Sequence, residues 1–307
     1  MAYLLLALMP IGFGLNPVTA RALNGIYEPA TLTLIRWFFT ALIVGALALS
    51  RYREERCSFG WSDAPRMLFL GVLGMAFSAY AAYAAAKTAP ATNVGLVYAC
   101  TSAVVAAVEI CEGRTRLSAM LLAGLVACFT GVALVLTRGD LAALLSVAIG
   151  PGELWAVAGM VMWAGYTLGM RRRPGDMTPI AMLAVLSVVA ALAAVPLTMR
   201  EIAEHGLPPL GPVHLAWLTA LVLLSGVGAF LAYNLSIRLS GPVLTAASIS
   251  LVPVYIAIMA VVLLGETVVW YHFVAIGLVA GGLVLLTLAR ARVLAAQSGA
   301  RASADVR

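Results

Sequence analysis

The sequence predicts an all-α polytopic membrane protein, with ten transmembrane helices forming two inverted five-helix repeats around a central cavity. Three observations carry this: an extreme composition, ten apolar runs of spanning length, and landmarks that recur at one offset. Of 307 residues, 63% are hydrophobic and 10% charged, and the mean hydropathy is +1.02. A soluble domain is roughly 45–50% apolar and about 25% charged, so this chain has too little charge to cover a folded surface in water. Disorder, a coiled coil and an ordinary soluble enzyme are excluded. The runs do not alternate polar with apolar, which excludes an outer-membrane barrel.

A spanning helix needs roughly 20 apolar residues. The runs read Tyr3–Ala22, Pro29–Leu49, Met67–Ala86, Ala91–Ile110, Leu117–Thr137, Gly152–Met170, Pro179–Met199, Leu215–Ile237, Val243–Leu264 and Phe273–Ala289. The first has no basic n-region and holds Pro10, Pro17 and Arg21, so it reads as a span, not a signal peptide. Of the 19 basic residues only Lys87 is a lysine. With both termini cytoplasmic, fourteen arginines fall on the cytoplasmic side, among them Arg51, Arg53, Arg56, Arg66, Arg114, Arg116, Arg171–Arg173 and Arg238. Arg21, Lys87, Arg138 and Arg200 fall outside, and Arg36 lies within a span. This bias predicts ten spans with the N- and C-termini inside. The net charge of +6 therefore reads as a topology signal, and no nucleic-acid partner is expected. Trp155, Trp217 and Trp270 sit at run ends, where an interfacial aromatic belt belongs.

The two halves share an ordered set of landmarks. Gly14 and Pro29 recur as Gly165 and Pro179, Ala82-Tyr83 as Ala232-Tyr233, Ala89-Pro90 as Gly241-Pro242, and Glu112 as Glu266. The offsets drift only between 150 and 154 residues. Five spans per half invert the second half relative to the first, the arrangement of secondary transporters that bind substrate near the midplane. The predicted divisions are a first repeat over 1–138, an outer connection over 139–151, a second repeat over 152–289, and a cytoplasmic tail over 290–307 expected to be disordered.

These residues resemble the drug/metabolite transporter superfamily, specifically its EamA-like ten-span branch. The likeness covers about residues 3–289. It rests on Gly12-Phe13-Gly14-Leu15-Asn16-Pro17, Pro29 with Arg36, Tyr83 with Ala89-Pro90, and Gly265-Glu266 before the last span. The first repeat departs from the pattern with Glu112-Gly113 in place of a Gly-Glu turn. Within the branch the chain is similar to bacterial inner-membrane exporters of aromatic and other neutral amino acids. The resemblance implies a basket of ten helices in the inner membrane that moves small metabolites by alternating access.

Polar and aromatic residues within spans are costly in lipid and are therefore candidates for function. Proline frees a helical carbonyl, so Asn16-Pro17 and Pro253 are candidate kinks, and Pro17, Arg36 and Pro253 are candidate gating positions. The candidate substrate contacts are Asn16, Tyr80, Tyr83, Tyr98, Thr101, Trp163, Tyr166, Tyr233, Asn234, Ser248 and Tyr255. Tyr and Trp offer apolar faces, and hydroxyls and amides offer polar partners, which suits a neutral amphipathic solute. Trp163 stands out because an indole N–H at mid-depth needs a partner. Arg36 either meets a substrate carboxylate or joins two helices, since a charge within a span must be paired. Protons are a candidate coupling ion. Glu109 and Glu112 are the nearest candidate proton sites, and neither is at mid-membrane. His272 is expected at the interface. The glycine pairs Gly165/Gly169 and Gly277/Gly281 read as close-packing sites.

The sequence has no phosphate-binding loop, and no His or Cys cluster with metal spacing. Cys57, Cys100, Cys111 and Cys128 read as packing residues. No catalytic constellation, cofactor or metal is expected, and neither charge rings nor a filter sequence suggests a channel. The leading expectation is a secondary transporter exporting neutral amino acids, including aromatic ones. The alternatives are a carrier of a nucleobase, vitamin or drug, or a non-transporting membrane protein. Oligomeric state is not legible.

Overall fold

A computed structural model describes residues 2–51, 63–139, 150–170 and 177–304. Arg53, Arg56, Arg171–Arg173 and Cys57, used above, lie outside the described residues. Among the described residues ten helices follow one another: α1 (Ala2–Ala22), α2 (Pro29–Arg51), α3 (Ala64–Ala86), α4 (Ala91–Cys111), α5 (Ala119–Leu136), α6 (Pro151–Gly169), α7 (Pro179–His205), α8 (Pro212–Gly241), α9 (Leu244–Leu264) and α10 (Trp270–Ala304). Among the described residues, nine helices, all except α6, have the length and apolarity to cross a membrane. The 19 residues of α6 extend about 28 Å at ~1.5 Å per residue, enough for a tenth crossing. Several starts are written locally: proline opens α2, α6, α7 and α8, where its missing N–H has no helical partner to lose.

The repeat is visible in the backbone as well as the sequence. In α3, Leu70–Phe77 is wound as a π-helix, and in α8 the same winding covers Ala220–Gly228. α4 is interrupted at Cys100 and α9 at Ser250-Leu251. Gly113 (φ 68°) and Gly265 (φ 67°) close α4 and α9 in the same left-handed conformation. These pairs keep the sequence offset of about 150 residues. They also align Gly113 with Gly265, so Arg114 stands where the second repeat has Glu266.

Packing follows a pseudo-twofold exchange. α1 packs on α8 and α9, as α6 packs on α3 and α4; α3 packs on α7, as α8 packs on α2. The self-related pairs are α2 with α7, α4 with α9 and α5 with α10. Gly12 presses α1 against the Leu224 carbonyl of α8, and Gly14 presses it against Ile256 of α9. α5 and α10 approach at Gly124 and Gly282, where a Cβ on either would come within 3.0 Å of the other's carbonyl oxygen.

Three expectations change. Gly165 on α6 faces open space, as do Gly277 and Gly281 on α10, where the α5–α10 contact uses Gly282, one residue round the helix from Gly281. α1 is helical on both sides of Pro17. The interruption in α9 precedes Pro253, which sits in the first turn of the following helical segment. Beyond Arg290, α10 continues as helix to Ala304 instead of giving way to a disordered tail, since that stretch is rich in the strong helix formers Ala, Leu, Arg and Gln.

Candidate functional site

The strongest polar constellation within the bundle joins α1, α2 and α3. Arg36 Nη1 donates to Asn16 Oδ1 (2.8 Å) and to the Tyr83 hydroxyl (3.2 Å), and that hydroxyl donates to Asn16 Oδ1 (2.9 Å). Arg36 is 5% exposed and Tyr83 2%. Arg36 stands seven residues from the start of α2, about 10 Å along its axis. The guanidinium carbon lies 4.5 Å from the Trp37 ring centroid, within cation–π range. Among the described residues no carboxylate pairs with Arg36, and its Nε has no partner. Trp37 Nε1 and Thr40 Oγ1, also on α2, are likewise buried without partners. Buried polar groups are nearly always satisfied, so this row of three marks an unmet polar surface inside the fold.

An aromatic tier adjoins it. Phe230 of α8 lies 6.5 Å from Trp37 and 5.7 Å from Phe13, which in turn lies 6.4 Å from Tyr233. Trp163 and Tyr166 stack at 4.7 Å, and Tyr166 fills the space left by Gly74 in the π-wound part of α3. Trp163 lies six residues from the end of α6, so this tier is nearer the end of the bundle that carries the termini. Arg36 and Tyr83 are nearer the opposite end, here called distal.

The remaining sequence candidates are distributed differently. Tyr80 does not join Tyr83; its ring packs on Trp155 of α6 at 5.7 Å, near the distal surface. Tyr98 donates to the Ser78 carbonyl (2.6 Å), and Ser78 to the Gly159 carbonyl (3.1 Å), tying α3, α4 and α6 together. Thr101 and Asn234 turn back to carbonyls of their own helices, Tyr98 and Phe230. Such local bonds compete with a ligand for the same groups. Ser248 donates to the Leu6 carbonyl of α1. Tyr255 is half-buried in α9.

The distal end is closed by contacts between the repeats. Glu201, in the last turns of α7, accepts from the amides of Ala30 and Thr31 (both 2.8 Å) and from the Thr31 hydroxyl (3.0 Å). Glu266 accepts from the Ala91 amide (2.8 Å) and the Thr92 hydroxyl (3.2 Å). Both carboxylates thus cap the N-terminus of a first-repeat helix, where the helix dipole favours negative charge. The tripeptide Pro-Ala-Thr opens both helices, at 29–31 and 90–92. This duplication is the sequence signal for a capping pair. Tyr27 donates to the Pro209 carbonyl (2.9 Å). Burial of the Tyr27 hydroxyl outside the spans raises its pKa. His272, in the first turn of α10, is buried at 3% exposed, receives the Val269 amide on Nδ1 and pairs through Nε2 with Asn93 of α4 (3.0 Å). Two recesses open at this end. One, of about 660 Å³, runs along Arg21, Pro90, Trp217 and Glu266. The other, of about 270 Å³, lies among Glu28, Tyr80, Lys87 and Trp155.

Among the described residues no group of three or more His, Cys, Asp or Glu is placed to hold a metal ion. No curated protein matches the chain. A solved structure described as "Crystal structure of protein" superposes with a TM-score of 0.63 at 21% identity, covering 94% of this chain and 97% of that one. At that identity the likeness shows the fold alone. The family model described as "EamA-like transporter family" matches twice, over residues 1–137 and 150–288. The two matches reach all ten helices described above, one repeat each and α10 as far as residue 288, and the chain belongs to the EamA-like transporter family.

Proposed function

We propose that this protein exports neutral amino acids, aromatic ones included, by alternating access. The observation that carries the reading is the Arg36 guanidinium: buried, held by two neutral oxygens, and with Nε unpartnered. A charge inside a membrane bundle is costly and marks a substrate or ion path. A planar fork of donors suits a carboxylate. The adjoining rings of Trp37, Phe230, Phe13 and Tyr233 offer an apolar wall for the side chain. Asn16 and Tyr83 orient the guanidinium, and Trp163 with Tyr166 lines the route toward the terminal end. The arginine bias of the loops supports an inner-membrane protein with cytoplasmic termini, which makes the distal end external.

The test is counterflow in proteoliposomes preloaded with unlabelled Phe, Met or Thr, following entry of the labelled counterpart. Saturable entry is expected, and Arg36→Ala should reduce it at least 100-fold, in line with loss of a charge-assisted pair worth about 1.5–3 kcal/mol plus an emptied buried site. Failure of every neutral amino acid to exchange, with the protein shown to be folded, would sink the reading.

A further inference from the structure

We infer that the smaller distal recess is a second, vestibular binding site for a zwitterionic amino acid with an apolar or aromatic side chain. Its ligand class rests on the proposed function, but its residues are separate from the Arg36 site. The recess holds about 270 Å³, just under the ~300–1,000 Å³ of drug-sized pockets, so it admits one small solute.

Its walls come from both repeats. Glu28, Tyr80 and Lys87 belong to the first repeat, and Pro151 and Trp155 to the second. The walls meet where the Thr88 hydroxyl and the Ala85 carbonyl crowd Gly152, a contact that leaves no space for a larger residue. Lys87 Nζ bonds Glu28 Oε2 at 2.7 Å, which leaves Glu28 Oε1 and two ammonium protons free. Lys87 and Glu28 keep 45% and 24% of their side-chain surface exposed. One ammonium and one carboxylate side by side match the two charges of a zwitterion, each meeting its opposite.

The apolar part of the site is the edge-to-face pair of Tyr80 and Trp155, 5.7 Å between centroids. It stands beside the ion pair in the same recess. The Tyr80 hydroxyl has no hydrogen-bond partner among the described residues, and Glu201, Lys87, Glu28 and Arg200 all act on it electrostatically. In the larger recess it is the carboxylate that is already engaged. Both Glu266 oxygens there already cap α4, and Arg21 is held by the Ala86 carbonyl.

The test is equilibrium dialysis of labelled L-phenylalanine against the purified full-length protein in nanodiscs, with counterflow measured on the same preparations. The wild type should bind two equivalents. Arg36→Ala should keep one, and adding Lys87→Met or Trp155→Ala should weaken that one at least tenfold, as expected when a charged partner or a stacking face is lost. Lys87→Arg should retain it, which separates loss of charge from loss of fold. Neither phenethylamine nor 3-phenylpropionate should compete, because each lacks one of the two charges. A single equivalent in the wild type, unchanged by Lys87→Met and Trp155→Ala while counterflow persists, overturns the vestibular site alone. Absence of counterflow with Lys87-dependent binding intact overturns the carrier reading and leaves the vestibular site standing.

Discussion

At the scale of single residues, the bundle treats similar side chains in opposite ways. Tyr80 and Tyr83 are three apart on α3, yet one faces the distal surface and the other bonds Arg36. Tyr83→Phe removes one of two partners of the guanidinium but leaves Asn16 in place. It should lower counterflow about tenfold or less, the effect of a single hydrogen bond to a charged group. Asn16→Leu removes the acceptor shared by both other members and should cost more. Equal loss in the two variants would contradict the geometry. Arg36 was legible in the sequence because a charge in an apolar run has few explanations. Its partners were only half legible. Asn16 and Tyr83 were singled out, but that they meet over Arg36 depends on how α1, α2 and α3 turn toward one another, which periodicity does not encode. Trp37, the buried indole beside the guanidinium, carries no comparable sequence signal. Adjacent residues on a helix do not share a face, so its nearness to Arg36 through the ring could not be read from spacing.

At the scale of elements, the repeat expresses itself through irregularities. The π-wound segments of α3 and α8 and the interruptions of α4 and α9 fall at matched positions. π-Turns are uncommon and recur at functional sites. The sequence placed its irregularities at prolines instead, because proline is the one breaker visible without tertiary context. The α4 interruption at Cys100 has no proline at all, so nothing in the composition announces it. The α5–α10 pair is the opposite case, close-packed and regular along its contact. Glycine there permits near approach of two backbones, as membrane helices require. Gly282→Val should force α10 off the Gly124 carbonyl and lower stability by about 1–3 kcal/mol, the usual cost of overpacking. Thermal unfolding in detergent measures this, with Gly277→Val as the control expected to be close to neutral, since Gly277 faces open space.

At the scale of the whole molecule, the distal carboxylates hold the repeats together at one end. Glu201 closes α2, and Glu266 closes α4, each through a Pro-Ala-Thr start. A carrier that alternates must release such contacts when the distal side opens. In the proposed alternating-access cycle their strength therefore sets the balance between the two states. Glu201→Gln and Glu266→Gln keep the shape of the caps but weaken them, because a neutral amide accepts less strongly than a carboxylate and gains nothing from the helix dipole. A change of about 1.4 kcal/mol in that balance is tenfold in population. Ala89 is fully buried at this end, which makes Ala89→Cys a reporter of opening. Its reaction with a membrane-impermeant maleimide, in a background lacking the native cysteines, should accelerate about tenfold when either glutamate is neutralised, and further when both are. If labelling stays slow in the double variant while the protein remains folded and active in counterflow, the two caps stabilise their helices without holding the distal end shut, and closure must rest on the buried pairs of Tyr27 with Pro209 and His272 with Asn93.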